Sequence, residues 1–188
     1  KSTTKYTAVA HTAREAVMSV QLAYKHAITG RPGPTACLFR ANTLRDPVAD
    51  NALPEIHDTN RLLNVSKSVP PTAAIDAALD VLAAAKVPVI VAGNGVRISH
   101  ASETLAALAD LLGAPVVTSV LGKSAIAETH DMAAGPMGYT GLPLANEIVG
   151  MADTILVVGC RLKPQDTCFE HPQMFDPNRQ RIVQIDIE

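Results

Sequence analysis

No apolar stretch in these 188 residues comes near the ~18 needed to cross a bilayer, although 47% of them are hydrophobic. No basic-then-apolar leader stands at Lys1, so the expectation is a cytoplasmic chain with neither a membrane span nor a secretory signal. Clustered cations are missing as well. Sixteen Lys and Arg are interspersed with 18 Asp and Glu for a formal charge of −2, which leaves no basic face for a nucleic-acid backbone. Cys37, Cys160 and Cys168 are an odd count without paired short spacing. That argues against a disulfide framework and for reduced, partly buried thiols. Cys160, Cys168 and His171 share one long spacing and have no fourth ligand, which disfavours a metal. His11, His26, His57, His100, His130 and His171 are scattered, with no Ser/His/Asp or Cys/His arrangement to single out. Asp46, Asp50, Glu55 and Asp58 lack a fixed ligand spacing and read as a solvated loop.

What the chain does have is a set of apolar runs that each end at a polar or glycine-rich corner. Val87–Ala92 stops at Gly93-Asn94-Gly95, Ala114–Val117 at Thr118-Ser119, and Thr154–Val158 at Gly159-Cys160-Arg161, while Ile182–Ile187 closes the chain. Short β-branched runs without alternation suit parallel strands covered on both faces, since neither face can be polar. In an open parallel sheet, ligands settle outside the carboxyl ends of the strands. The residues at which the runs stop are therefore the candidates for function.

Helical stretches separate the runs. Thr12-Ala13-Arg14-Glu15 has the pattern of a capping box, and the apolar stripe Ala13, Ala16, Val17, Val20, Ala23, Tyr24, Ala27 and Ile28 ends at Gly30. Thr35–Phe39 reads as a further buried strand, and the chain then turns polar and aperiodic. A helix and a strand cannot cover a core, so the expected organisation is a remnant of another domain over 1–42, an interdomain connector over 43–71 and a main domain over 72–188. In the main domain Thr72 is expected to cap a helix carrying Ile75, Ala78, Leu79 and Leu82, and Ser99 one carrying Leu105, Leu108 and Leu112 up to Gly113. Lys123–Tyr139 and Lys163–Asn178 read as irregular, with Pro143 opening a helix between them. Strands alternating with helices predict an α/β fold with a right-handed, doubly wound parallel sheet.

At the strand ends, Gly93-Asn94-Gly95 can turn sharply and is expected to aim backbone N–H groups into the crevice. The dinucleotide fingerprint is incomplete, because Ile98 stands where its last glycine belongs and the second strand ends in Thr118 and Ser119 rather than in an acid. Arg161 can offer a planar fork to a phosphate or carboxylate, or else sits in a surface ion pair. Asp186 can accept from a ribose or adenine edge, or else caps the following turn. Gly138-Tyr139-Thr140-Gly141 leads into Pro143, where its backbone could meet an anion at a helix N-terminus or simply enter a helix.

Taken in order, Gly30-Arg31-Pro32-Gly33-Pro34, the run Ala85–Val96, the run Ala152–Arg161 and Ile185-Asp186-Ile187-Glu188 resemble the thiamine-diphosphate enzymes of the acetolactate synthase type. The resemblance implies a three-domain subunit, of which this chain holds the last helix and strand of the pyrimidine-binding domain, the connector and most of a Rossmann-like central domain. It implies a six-stranded central sheet that binds FAD or ADP in some members and nothing in others. Carried over by motif, the cofactor-binding residues are Gly93, Gly95, Val96, Gly138, Tyr139, Arg161, Asp186 and Ile187. Two departures weigh against flavin: Leu162-Lys163-Pro164 follows the Gly-x-Arg where flavin-binding synthases have Phe-Asp-Asp, and the segment after Leu121 lacks their Met-Gly-Leu-Gly. Thiamine diphosphate and magnesium are implied in the missing pyrimidine- and diphosphate-binding domains, so no catalytic and no metal residue is assigned here and the chain by itself is expected to be inactive. The implied full-length reaction is decarboxylation of a 2-keto acid, with transfer to an acceptor or a proton, in a homodimer or homotetramer. A purely structural interdomain module is the alternative. A sirtuin-like deacetylase is set aside for want of two Cys-x-x-Cys pairs.

Overall fold

The computed structural model describes residues 3–45, 47–49, 52–58, 60 and 68–187. Asp46 and Asp50 of the acidic connector, and Glu188 of the last motif, lie outside them. The chain divides into two compact units, 1–68 with 187–188, and 69–186.

The first unit is a βαβ element. Strand β1 (Tyr6–Ala10) runs parallel to β2 (Thr35–Phe39), with helix α1 (Ala13–Ile28) between them. The Thr12 hydroxyl caps α1 by accepting from the Glu15 N–H at 3.2 Å. The Glu15 carboxylate reaches back one residue further than a capping box requires, accepting from the His11 N–H at 2.8 Å. Gly30 adopts φ +61°, the left-handed turn that ends a helix. Lys5 completes that end by donating from Nζ to the carbonyls of Thr29 and Arg31 at 2.7 and 2.6 Å. β1 has no counterpart in the sequence-based expectation, because five residues of which only Ala10 is buried carry no apolar run.

The second unit contains α2 (Thr72–Ala83), β3 (Pro88–Ala92), α3 (Asn94–Ile98), α4 (Ser102–Leu112), β4 (Val116–Thr118), β5 (Ala133–Pro136), α5 (Pro143–Met151), β6 (Thr154–Val158) and β7 (Arg181–Ile185). Its five strands are all parallel, in the order β5-β4-β3-β6-β7. Alternate residues feed opposite faces. Val89, Val91, Val117, Ile155 and Val157 pack with Ala145 and Val149 on one side, and Ile90, Ala92, Val116 and Leu156 with Val96, Leu105 and Ala109 on the other. Both faces being covered explains why these strands read as unbroken apolar runs. Among the described residues the sheet has five strands, not the six that the resemblance implies.

Five expectations need correction. β2, expected to be a buried strand, buries none of its residues and leaves Leu38 and Phe39 51% and 37% exposed. The last run, expected to be covered on both faces, is the edge strand β7, with Ile182 and Ile185 43% and 53% exposed. Thr72 lies inside α2, whose cap is Pro71 without a side-chain hydrogen bond, and α2 buries no residue fully: Ile75 and Leu79 remain 41% and 55% exposed. Ser99 closes the unexpected short helix α3 rather than opening α4, which starts from Ala101. β5 lies within the stretch read as irregular. Its Ala-Ala-Gly-Pro sequence lacks β-branched residues, and its ladder with β4 shifts register between Val116 and Val117. An edge position tolerates Pro136.

Asp153 ties the amino ends of the central strands together. Its carboxylate accepts from the N–H groups of Lys86 and Val87 at 2.8 and 3.2 Å, and its own carbonyl accepts from the Arg181 N–H at 2.9 Å. The Lys86 hydrogen bond is the largest influence holding this carboxyl below its ordinary 3.8. A carboxyl whose folded value is depressed adds stability that is present above the unfolded value and is lost as the pH falls through the folded one. Asp153→Asn is expected to flatten the acid limb of the stability curve below about pH 4 and to leave its slope near neutrality unchanged, as checked by urea melts across that range.

Candidate functional site

The chain order reverses between β3 and β6: connections from β3 run outward to β4 and β5, then return to β6 and β7 on the other side. Such a switch point opens a crevice at the carboxyl ends of the two strands. Gly93 and Gly95 stand at one lip, Gly159 and Arg161 at the other.

The glycines serve a different purpose from the one their sequence suggests. Gly93 has φ −104°, which any residue can adopt. A Cβ there would lie 2.1 Å from the Gly159 carbonyl oxygen and 2.6 Å from Cys160 Cα, and a Cβ on Gly95 would lie 2.6 Å from Gly159 Cα. Gly122, beyond β4, closes on the same corner, where a Cβ would meet the Ala92 carbonyl oxygen at 2.3 Å. Of this group only Gly159 needs positive φ, at +57°. The two lips thus interlock backbone against backbone.

Their donors are occupied too. The Gly93 N–H donates to the Val158 carbonyl at 2.8 Å, that of Gly95 to Gly159 at 3.0 Å, and that of the buried Val96 to Gly93 at 3.3 Å. At the end of β5, the Gly138 N–H donates to Asn146 Oδ1 at 2.8 Å, while Asn146 Nδ2 donates back to the Gly138 carbonyl at 3.2 Å. Tyr139 N–H donates to Gln165, Gly141 to Gly138, and Leu142 to Pro136. The N–H groups of Gly93, Gly95, Val96, Gly138, Tyr139 and Gly141 are therefore engaged within the protein.

Side chains remain. Arg161 is exposed, and among the described residues no hydrogen bond or ion pair holds its guanidinium. It fits an anion at the crevice. Cys160 beside it is buried, and desolvation, reinforced by the negative charges of Asp166 and Asp186, pushes its thiol up from 9.0. Asp186 follows β7 at the same sheet edge and is exposed, whereas Ile187 belongs to the other compact unit. Tyr139 is 72% exposed and meets Phe169 edge to face, with ring centroids 5.9 Å apart and planes at 78°.

Asn146, Gln165 and Phe169 escape a reading of the sequence, since nothing local marks a helix residue that locks a glycine eight positions earlier. Phe169 also sits in an unusual backbone: Cys168, Phe169 and Glu170 have φ +51°, +60° and +60°. Each left-handed non-glycine residue costs about 1–2 kcal/mol. Hydrogen bonds hold this turn, from Phe169 N–H to the Pro164 carbonyl, from Glu170 N–H to Thr167 Oγ1 at 3.0 Å, and from His171 N–H to the Thr167 carbonyl at 3.0 Å. A separate cavity of about 530 Å³ between α5 and residues 168–174 is lined by Asn146, Met151, Cys168, His171 and Met174, among others, and by none of the strand-end residues named from sequence. Among the described residues no three His, Cys, Asp or Glu side chains are placed to hold a metal, and no helix is long and apolar enough to cross a membrane.

A doubly wound parallel sheet whose chain order reverses at a switch-point crevice defines a Rossmann-like domain. The chain belongs to the thiamine pyrophosphate enzymes, and its residues 75–188 match the central domain of that family. Sulfoacetaldehyde acetyltransferase of Castellaniella defragrans is 41% identical over 114 residues, 61% of this chain and 19% of that protein. A probable acetolactate synthase large subunit of Methanococcus aeolicus is 32% identical over 167 residues, 88% of this chain and 27% of that protein. A 3D-(3,5/4)-trihydroxycyclohexane-1,2-dione hydrolase of Clostridium tetani is 34% identical over 115 residues, 61% and 18% respectively. The chain thus spans between about a fifth and a quarter of these relatives.

Proposed function

We propose that this chain is the middle of a cytoplasmic thiamine-diphosphate enzyme acting on a 2-keto acid, as an acetolactate synthase-like carboligase or a decarboxylase. The match of residues 75–188 to the central domain carries this reading. Residues 1–42 then end a pyrimidine-binding domain, 43–71 connect, and 72–188 organise the subunit within a homodimer or homotetramer. Thiamine diphosphate, bound with magnesium by the pyrimidine- and diphosphate-binding domains, supplies the electron sink for decarboxylation. No residue of this chain transfers a proton, so it is inactive alone.

Within the central domain, Arg161 holds a phosphate of an accessory FAD or ADP at the crevice, which its guanidinium, held by no hydrogen bond or ion pair among the described residues, supports. The occupied N–H groups of Gly93, Gly95 and Gly138 make this a side-chain site, unlike a glycine-rich phosphate loop. The interlocked glycines favour a second reading, a structural module that binds no nucleotide.

Thermal unfolding of the chain with FAD, ADP, CoA and NAD separates the two. A ligand at ~100 times its dissociation constant adds about 2.7 kcal/mol, a shift of several degrees. A rise with ADP or FAD that disappears in Arg161→Ala supports the accessory site. An unchanged midpoint with all four ligands supports the structural module.

A further inference from the structure

Of the seven asparagines in the sequence only Asn94 is followed by glycine. A glycine leaves its backbone nitrogen unshielded by a side chain and lets the chain reach the conformation in which that nitrogen meets the preceding amide. The Gly95 nitrogen can then attack Asn94 Cγ. A nitrogen–carbon bond forms, the side-chain amide leaves as ammonia, and the proton of the Gly95 N–H passes to water. Water then opens the cyclic imide at either carbonyl, giving aspartate or isoaspartate with no oxidant or reductant involved.

The folded crevice blocks each requirement of this reaction. The Gly95 N–H donates to the Gly159 carbonyl at 3.0 Å, which occupies the proton that has to leave. Asn94 is the first residue of α3, and a helical backbone turns the Gly95 nitrogen off the line of attack. Asn94 Oδ1 accepts from Arg97 Nη1 at 3.4 Å, drawing the side chain along the helix instead of over the following nitrogen. Gly95 has no room to swing, since a Cβ on it would already lie 2.6 Å from Gly159 Cα. We infer that Asn94–Gly95 is a deamidation site that the interlock with Gly159 keeps closed, and that opening the crevice exposes it. The two products differ in what they do to the fold. Aspartate keeps the backbone length, and its carboxylate suits the first turn of a helix. Isoaspartate routes the chain through the former side chain and adds a methylene to the backbone, at a corner where not even a Cβ fits on Gly93 or Gly95. The interlock does not reform around it, so an opening of the sheet's centre becomes irreversible there.

The test incubates the 188-residue chain at mildly alkaline pH across a guanidinium series, with far-UV circular dichroism recording the unfolded fraction. The peptide containing Asn94 is followed by mass spectrometry, and isoaspartate by enzymatic methylation of its free α-carboxyl. Conversion in buffer is expected to be slower than in full denaturant by about a hundredfold or more and to rise with the unfolded fraction, with Asn42 and Asn178 lagging behind Asn94. On dilution the Asn94→Asp variant regains the parent's unfolding midpoint and the isoaspartate product does not. Equal rates in folded and unfolded chain overturn the shielding by Gly159, and no conversion in denaturant overturns the site itself. An isoaspartate chain with the parent's midpoint overturns the irreversibility, and an Asn94→Asp chain that also fails to refold assigns the loss to charge and overturns the backbone argument.

Discussion

Gly93→Ala is expected to lower the unfolding midpoint of the second unit by about 10 °C or more. The new methyl would sit 2.1 Å from a carbonyl oxygen and 2.6 Å from a Cα, both backbone, so no side-chain rotation relieves it. Overpacking of this kind costs typically 1–3 kcal/mol and occasionally more, and a backbone clash in the central crevice belongs at the upper end. Gly113→Ala is the control, since Gly113 is left-handed at φ +58° with nothing within 4 Å of its missing Cβ. It bears only the conformational penalty, about 1 kcal/mol. Thermal melts of the two variants check this, and equal losses would mean that the interlock with Gly159 contributes nothing.

Gln180→Leu is expected to cost about 3 kcal/mol, measured by urea unfolding. Gln180 is 4% exposed, and its Nε2 donates to the carbonyls of Val149 at 2.8 Å and Met174 at 3.1 Å. Its Oε1 accepts from the Asp176 N–H at 2.8 Å. Leucine fills the space but abandons two acceptors and a donor, and a buried polar group left without its partner costs about 1–3 kcal/mol. This side chain joins α5 to the irregular segment before β7. A variant as stable as the parent would show that water replaces all three bonds.

The sheet was readable where burial dictated composition. β3, β4 and β6 contain valine or isoleucine at every second position or closer because both their faces are covered, whereas β7 carries the same residue types on an exposed edge. β5 is an edge strand of small residues, and no local composition separates it from a loop. Helix ends followed the same rule: Thr12, Gly30 and Gly113 act through their own side chain or φ and are visible, whereas Pro71 and Ala101 cap by position alone. At the crevice, the sequence located Gly93, Gly95 and Arg161 because they end strands. It could not disclose that the glycines face one another, since that depends on β6 lying beside β3. Phe169 and Asn146 were hidden for the same reason, their roles being contacts with Tyr139 and Gly138.

The placement of β3 at the centre of the sheet bears on how the chain is made. Lys86, at the foot of β3, is 67 residues from Asp153, which anchors it. At 5–20 residues per second, a ribosome delivers β6 roughly 3–13 s after β3. During that interval Val89, Ile90 and Val91 have one flank of the sheet available and the other open. Long-range parallel pairing is slow to form and leaves strand edges exposed to neighbouring chains. A nascent chain halted before Thr154 is therefore a candidate for chaperone capture, and translation speed between Leu112 and Thr154 sets how long that vulnerability lasts.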